Sequence, residues 1–392
     1  MVRKGGTKTP KSKMLPGFYH KCLRQLLTPR QYTTLKIIIV LLQSQKIIQI
    51  EKLAAFFPLP IKYESRRRHI QRFLLLPQLQ IKLLWFPIIK KWLRIGRKNK
   101  LCYVAIDRTR WQERNLLVAA LIKDKRAIPL FWFLLDKKGN SNFSEQKRLL
   151  KAVARLLKGY KIIVLGDREF GNVVLADWFD RKGFQYVLRS KDNKYIQQEE
   201  QEYQQLSSLG LKPNKSFFLY QVKFTKQSGF GKINLAGYWS QKTKKNKKDE
   251  GWYLITNLSS LKLAITAYRK RMGIEAMFKD CKSGGYNLEK CQANKQRLLG
   301  LVLLIAIAYT CSIQKGQKIK SMGIQKYVCR VKLATRKTRR HSNFWVGLYG
   351  GLWVETFEFC QQLVEQLMRL TPRKLPFYQQ GLRAKMLIQA IF

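Results

Sequence analysis

Carboxylates are scarce in this chain, so those that close apolar runs stand out. Tyr103-Val-Ala-Ile-Asp107 and Lys161-Ile-Ile-Val-Leu-Gly-Asp167 each read as an apolar strand ending in an acid. An unpaired carboxylate at such a place is costly once desolvated. An Arg or Lys would offset the cost, and so would a divalent metal ion, because hard cations prefer oxygen ligands. A third acid, Glu275, lies in the segment Tyr268-Arg-Lys-Arg271-Met-Gly-Ile-Glu275-Ala-Met-Phe-Lys-Asp-Cys-Lys282, which reads as part of a helix from about Leu261 to Lys282. At about 100° per residue, Tyr268, Arg271, Glu275 and Lys282 fall within about 60° of one another. They form one polar stripe, with Met272, Ile274 and Phe278 turned toward the core. Asp280 lies off the stripe. An Arg271 to Glu275 ion pair on an exposed face explains the same spacing without chemistry.

The elements that must position these acids alternate strand and helix. Leu116 to Ile122 and Ile128 to Leu135 read as a hairpin, Ser144 to Leu157 as a helix capped by Ser144, Asn172 to Lys182 as a helix, and Phe184 to Arg189 as a strand. That order predicts an α/β fold with a mixed sheet. Residues 195–258 hold short strands and the basic loop Lys242-Thr-Lys-Lys-Asn-Lys-Lys248, and read as an inserted β subdomain. Ahead of residue 99 the pattern is helical. Ile50 to Phe57, a break at Pro58 and Pro60, and a helix from about Glu64 to Leu76 carrying Arg66, Arg67, Arg68 and His69 resemble a helix-turn-helix. A plain helical bundle with a solvated basic face fits the same pattern.

Tyr, two residues, Arg, three residues, Glu, six residues, Lys resembles the signature of the insertion-sequence-four family of DDE transposases, matched at Tyr268, Arg271, Glu275 and Lys282. Ala105-Ile-Asp-Arg-Thr109 and Leu165-Gly-Asp-Arg-Glu-Phe170 resemble that family's two Asp motifs. The resemblance covers roughly residues 20–320. It implies an RNase H-like catalytic domain at 99–320, with the β insertion at about 195–258, after a basic flexible arm at 1–14 and a helical DNA-binding domain at 15–98. A basic helical region at 321–392 completes the chain. Asp107, Asp167 and Glu275 would be the catalytic residues and would hold Mg²⁺ (or Mn²⁺), two ions, for cleavage at transposon ends and strand transfer. Tyr268, Arg271 and Lys282 would contact phosphate, with Arg66 and Arg67 as further DNA contacts. Trp239 or Trp252 would hold a flipped base, although strand Trp residues more often fill cores. Two departures stand beside the match. Arg108 follows the first Asp, and Glu169 lies close enough to Asp167 to compete with it for metal. A non-transposing nuclease or integrase, or an inert DNA-binding remnant, are the competing functions. Partners implied are double-stranded DNA, as terminal inverted repeats and target, and a second copy in a homodimer. The implied place is the bacterial cytoplasm, at the nucleoid, with no membrane.

Composition agrees with a polyanionic partner. The chain has 392 residues, 77 Lys and Arg against 23 Asp and Glu, and a net charge of +54. The excess runs the whole length, which favours nucleic acid over a membrane surface. Hydrophobic residues make up 46%, enough for a sizeable core. The longest apolar run, Leu298 to Ile313, contains Gly300, Thr310 and Ser312 and reads as a buried helix. Seven scattered Cys without a C-x-x-C pair, and three His, do not suit a zinc site and fit a reducing cytosol. Binding to duplex DNA should therefore weaken steeply with salt. Fluorescence anisotropy should show a loss of roughly a thousandfold or more between about 50 and 200 mM salt. A flat response would remove phosphate as the main contact.

Overall fold

The computed structural model describes residues 15–94, 101–199, 201–226, 230–240, 250–331 and 341–392. The expected arm at 1–14, the Lys242–Lys248 loop and Arg340 lie outside them. Two compact units form, one from Met1–Trp92 with Asp280–Phe392, the other from Leu93–Lys279.

The first unit opens with helices α1 (Gly17–Arg24), α2 (Pro29–Gln45), α3 (Ile50–Phe56), α4 (Tyr63–Phe73) and α5 (Phe86–Arg94). Thr28 and Gln31 make a reciprocal cap at the start of α2, with Pro29 fixing its first turn. Leu35, Ile38, Ile39 and Leu42 recur at helical spacing and are buried. The helix α3 stops before Pro58, where a proline nitrogen has no proton to continue the ladder. The Arg66 guanidinium donates to the Phe57 carbonyl at 3.3 Å, tying α4 to the end of α3.

The second unit is a ten-stranded mixed sheet with helices. Its strands are β1 (Leu101–Trp111), β2 (Arg114–Lys123), β3 (Arg126–Leu134), β4 (Lys161–Gly166), β5 (Gln185–Ser190), β6 (Tyr195–Gln197), β7 (Gln204–Gln205), β8 (Ser216–Phe224), β9 (Phe230–Tyr238) and β10 (Trp252–Thr256). Their order is β3-β2-β1-β4-β5-β10-β9-β8-β6-β7. Only β1, β4 and β5 run parallel; the pairs on either side are antiparallel. Ile162 to Leu165 are all buried, as a central strand covered on both faces requires. The strands expected as a separate β subdomain continue this same sheet, because β10 pairs with β5 from Tyr253↔Ser190 to Thr256↔Val187.

Helix α6 (Phe143–Leu156) begins one residue before the expected cap. Asn142, not Ser144, accepts from the Glu145 amide at 3.0 Å, and the Glu145 carboxylate accepts from the Asn142 amide at 2.7 Å. Helix α7 (Val173–Arg181) is capped by Asn172, and α8 (Leu261–Arg269) by Ser260. The next helix is α9 (Met272–Cys281). Gly171 permits a close approach: a Cβ there would stand 1.9 Å from the Arg189 carbonyl oxygen.

The first unit resumes with α10 (Lys295–Ser321), α11 (Asn343–Phe359), α12 (Gln361–Leu370) and α13 (Leu375–Gln389). Helices α11 and α12 are separated at Cys360, and α13 extends the helical region beyond them. Helix α10 is long and apolar enough to cross a membrane, but 89% of its apolar window is buried inside the fold, as in a core helix. It meets α11 backbone to backbone. A Cβ on Gly316 would lie 1.8 Å from the Asn343 carbonyl oxygen, and one on Gly347 would lie 1.8 Å from that of Ser312. Gly347→Ala should therefore destabilise the protein by about 1–3 kcal/mol or more. Gly381→Ala, in a helix with nothing within 4 Å of the new methyl, should stabilise it by roughly 0.5–1 kcal/mol. Urea unfolding measures both, and equal effects would refute the close crossing.

Candidate active site

Strands β1 and β4 run parallel and in register up to Ile106↔Gly166. The next residue on each is an acid, which brings Asp107 and Asp167 side by side. Strand β4 ends there, but β1 runs on to Trp111, paired with β2 through Asp107↔Val118 and beyond. Asp107 therefore lies within its strand instead of ending it as expected. Asp107 is buried and Asp167 partly so. Backbone amides meet one oxygen of each: the Arg108 N–H donates to Asp107 Oδ1 at 2.7 Å, and the Glu169 N–H to Asp167 Oδ1 at 3.1 Å. Glu275 joins them through one arginine. Arg271 Nη1 donates to Asp107 Oδ2 at 3.2 Å, while Nη2 pairs with the Glu275 carboxylate. Asp167 makes no salt bridge among the described residues.

The electrostatics follow from that crowding. Burial, with further pushes from Asp167 and Glu275, raises the Asp107 carboxyl to about 7 despite the opposing pull of Arg271. Burial also raises Asp167, again against Arg271. The carboxylates carry more negative charge than the one guanidinium offsets. The donor set is all oxygen, which suits a hard divalent cation, and such a charge would return Asp107 to its ionised form. Among the described residues no group of three or more His, Cys, Asp or Glu stands close enough to hold a metal as it is. Arg271, between Asp107 and Glu275, supplies the local positive charge instead.

The helical stripe is not continuous. The chain leaves α8 after Arg269, turns through Lys270 and Arg271, and resumes as α9 at Met272. Two successive turn bonds, from Gly273 N–H to Lys270 O and from Ile274 N–H to Arg271 O, make the break. Gly273 sits where a Cβ would meet the Arg126 carbonyl at 2.9 Å, so the backbone approaches β3 closely there. The expected inward turn of Met272 is corrected accordingly: it is 58% exposed, while Ile274 and Met277 are buried. Tyr268 is buried with its ring edge-on to Trp252, centroids 5.0 Å apart, and 5.8 Å from the Arg271 guanidinium carbon. Lys282 lies past the end of α9, in the unit that begins at Asp280, and pairs with Glu289 at 2.7 Å.

Glu169 is engaged elsewhere. Its Oε2 takes Arg108 Nε at 2.8 Å, and its Oε1 accepts from the Ser141 amide at 2.7 Å and hydroxyl at 2.6 Å. The other Arg108 nitrogens donate to Asn115 and Asn140. Both departures noted in the sequence thus answer each other, and Asp167 is the acid left facing Asp107. Arg67 pairs with Glu64 at 2.8 Å, and Arg66 holds the end of α3. Trp239, just past β9, has a buried indole N–H without a partner among the described residues. Sequence reasoning missed Arg168 and Arg189, which meet at Glu250. Arg168 stands in the quoted Gly-Asp-Arg-Glu motif, and that adjacency was the available signal.

Residues 124–311 match the family described as Transposase DDE domain. That stretch, somewhat under half of the chain, is similar to a transposase DDE domain, and the chain's function is DNA transposition by a nuclease of the DDE class. The match takes in Asp167, Tyr268, Arg271, Glu275 and Lys282 and starts after Asp107. Among solved structures, the chain is similar to a piggyBac transposase in a synaptic complex with hairpin DNA, at 13% identity over 88% of this chain and 77% of that one, with a TM-score of 0.45. It is also similar to Marinitoga piezophila Argonaute in complex with 5′ OH guide RNA and target DNA, at 14% identity over 57% and 34%, with a TM-score of 0.25. No curated protein matches.

The raised Asp107 carboxyl fixes a pH dependence. A carboxyl raised in the fold binds more protons folded than unfolded, so metal-free stability falls as pH rises from about 4 to about 7. Asp107→Asn removes that penalty. In EDTA at pH 8 its melting midpoint should exceed the wild type's by a few degrees, since each 1 kcal/mol is worth about 2–4 °C in a domain of this size. The gap should close toward pH 4. A gap that widens on acidification would reverse the assignment.

Proposed function

We propose that this transposase cleaves DNA at transposon ends and transfers the freed strand, with Asp107, Asp167 and Glu275 as its catalytic and metal-holding carboxylates. The single observation that carries the proposal is the adjacency of Asp107, within β1, and Asp167, just past β4, with Glu275 joined to Asp107 through Arg271. The finer assignments are an RNase H-like catalytic domain, the insertion-sequence-four family, and two Mg²⁺ (or Mn²⁺) ions. The parallel β1-β4-β5 core and the Tyr268, Arg271, Glu275, Lys282 spacing support them. Bound there, divalent ions supply Lewis-acid stabilisation of a phosphodiester and a more acidic water.

The chain's own residues do the rest. Asp107 and Asp167 accept the positive charge and are pinned in place by backbone amides. Arg271 holds Asp107 and Glu275 together in the free protein. The same guanidinium would also be placed to grip a DNA phosphate in a bidentate way. Tyr268, packed on Trp252, stiffens that turn and offers its hydroxyl to DNA. Lys282, Arg66 and Arg67 are further phosphate contacts by resemblance, and each would exchange an intramolecular partner for DNA. Trp239 is a candidate for stacking on a flipped base, and its partnerless indole N–H supports a ligand there. The DNA is double-stranded, as terminal repeats and target. We place residues 15–98 as the DNA-binding domain, 99–320 as catalytic and 321–392 as a basic helical region. A homodimer acting at the bacterial nucleoid completes the proposal.

The test is incubation of the protein with DNA carrying the flanking ends of its own gene and Mg²⁺. The wild type should nick the ends. Glu275→Gln and Asp167→Asn should bind but lose more than the roughly 10- to 100-fold that changes outside a metal's ligand set cost. Undiminished nicking by Glu275→Gln would eliminate Glu275 as a ligand. Cleavage without strand-transfer products would favour a plain nuclease, and binding without any cleavage an inert remnant.

A further inference from the structure

We infer that the Glu250 carboxylate is an internal stand-in for a DNA phosphate, holding Arg168 and Arg189 in the free protein and giving way when DNA binds. The inference rests on the reading of this unit as the DNA-cleaving one. It concerns residues outside the Tyr-Arg-Glu-Lys signature and outside the acid triad.

The geometry is that of an anion site. Arg168 follows Asp167 directly, and Arg189 lies on β5, beside β4. Glu250 comes two residues before β10, the other neighbour of β5. A single carboxylate oxygen, Glu250 Oε2, takes Nη2 of both arginines; the Arg189 contact is 3.3 Å. Arg189 Nη2 also donates to the Gly251 carbonyl at 3.2 Å, and its Nε is buried without a partner among the described residues. A buried guanidinium nitrogen left without an acceptor is costly. A phosphate has more acceptor oxygens than a carboxylate and matches the planar fork of an arginine. Glu250 meets part of the demand and leaves part unmet.

The site is open on the side a ligand needs. The Glu250 side chain is 63% exposed and that of Arg168 44%, while Arg189, at 19%, forms the floor. Arg271 and Tyr268 both act electrostatically on Arg189, so the cluster is contiguous with the carboxylate site. Burial lowers the Arg189 pKa, with Arg168 and Arg271 adding to the effect. Three guanidiniums gathered this closely call for an anion. In a chain of charge +54 an acid at this spot serves as that anion until a phosphodiester of DNA replaces it.

Binding measured without metal tests this apart from catalysis. Fluorescence anisotropy of a labelled duplex is followed at fixed salt in EDTA. Glu250→Gln should bind about two- to fivefold more tightly, the range an exposed ion pair supplies. Glu113→Gln is the control for general removal of one negative charge: Glu113 is 72% exposed and pairs with Lys138 in the same unit. It should shift binding less. Arg168→Ala should weaken binding, and Glu250→Gln should gain less in that background than alone. Equal shifts in the two Glu variants, weaker binding by Glu250→Gln, or an undiminished gain beside Arg168→Ala would each overturn the inference. No strand is cut in this assay, so those outcomes leave the nicking result standing, and failure to nick does not move them.

Discussion

A carboxylate buried within a sheet has to be answered by a positive charge, and the centre of the sheet unit is arranged around that need. Asp107 and Asp167 are brought together by the parallel pairing of β1 and β4, a pairing that buries the residues leading up to both acids. Burial is the main reason Asp107 is pushed toward its neutral form, and repulsion from the neighbouring Asp167 charge adds to it. Arg271 relieves part of the repulsion while also holding Glu275. One guanidinium thus answers two carboxylates at once, Asp107 and Glu275.

Net charge sets the terms for every other acid nearby. With 77 basic residues and 23 acidic ones, each carboxylate in this unit has many suitors. Glu169 has been taken by Arg108, Glu250 by Arg168 and Arg189, and Glu275 by Arg271. These pairs are not mainly a source of stability, because an exposed pair contributes little. Their effect is to hold cationic side chains in place in a protein without its polyanion. Glu169 differs from the others: with two hydrogen bonds from Ser141 as well as Arg108, it is a buried structural acid that orders the loop after β3.

Much of this was legible in the sequence. The apolar runs before Asp107 and Asp167, the hairpin between β2 and β3, and the breaks at Pro58 and Pro60 follow from local patterning, and each element stands near its expected bounds. Asp107 and Asp167 stood out because an acid closing an apolar run is unusual, although β1 does not end at Asp107 but continues to Trp111. What local pattern could not show was tertiary. Spacings of three and four between Tyr268, Arg271 and Glu275 look the same on one helix or across a tight turn. The turn is set by how closely Gly273 approaches the Arg126 carbonyl, a contact distant in sequence. Likewise the strands after residue 195 read as an inserted β subdomain because they interrupt the alternation of strand and helix, whereas their membership of one sheet is decided by β10 pairing with β5.

That last pairing has a consequence for the chemistry. A separate subdomain could carry its residues anywhere relative to the acids. A strand hydrogen-bonded in register to β5 cannot: Leu254↔Arg189 and Tyr253↔Ser190 fix β10 to within one residue. Glu250, just upstream of β10, is therefore held beside Arg189, and Trp252 beside Tyr238 and Tyr268. The same register connects the sheet's antiparallel half to its parallel core. Since β5 is pinned to β4 on its other side, and Gly171 leaves no slack against the Arg189 carbonyl, any shift that moved Arg189 would also move the end of β4 that presents Asp167. The cationic cluster and the carboxylate pair are consequently one mechanical piece, even though one half of it escapes the motif by which the other is found.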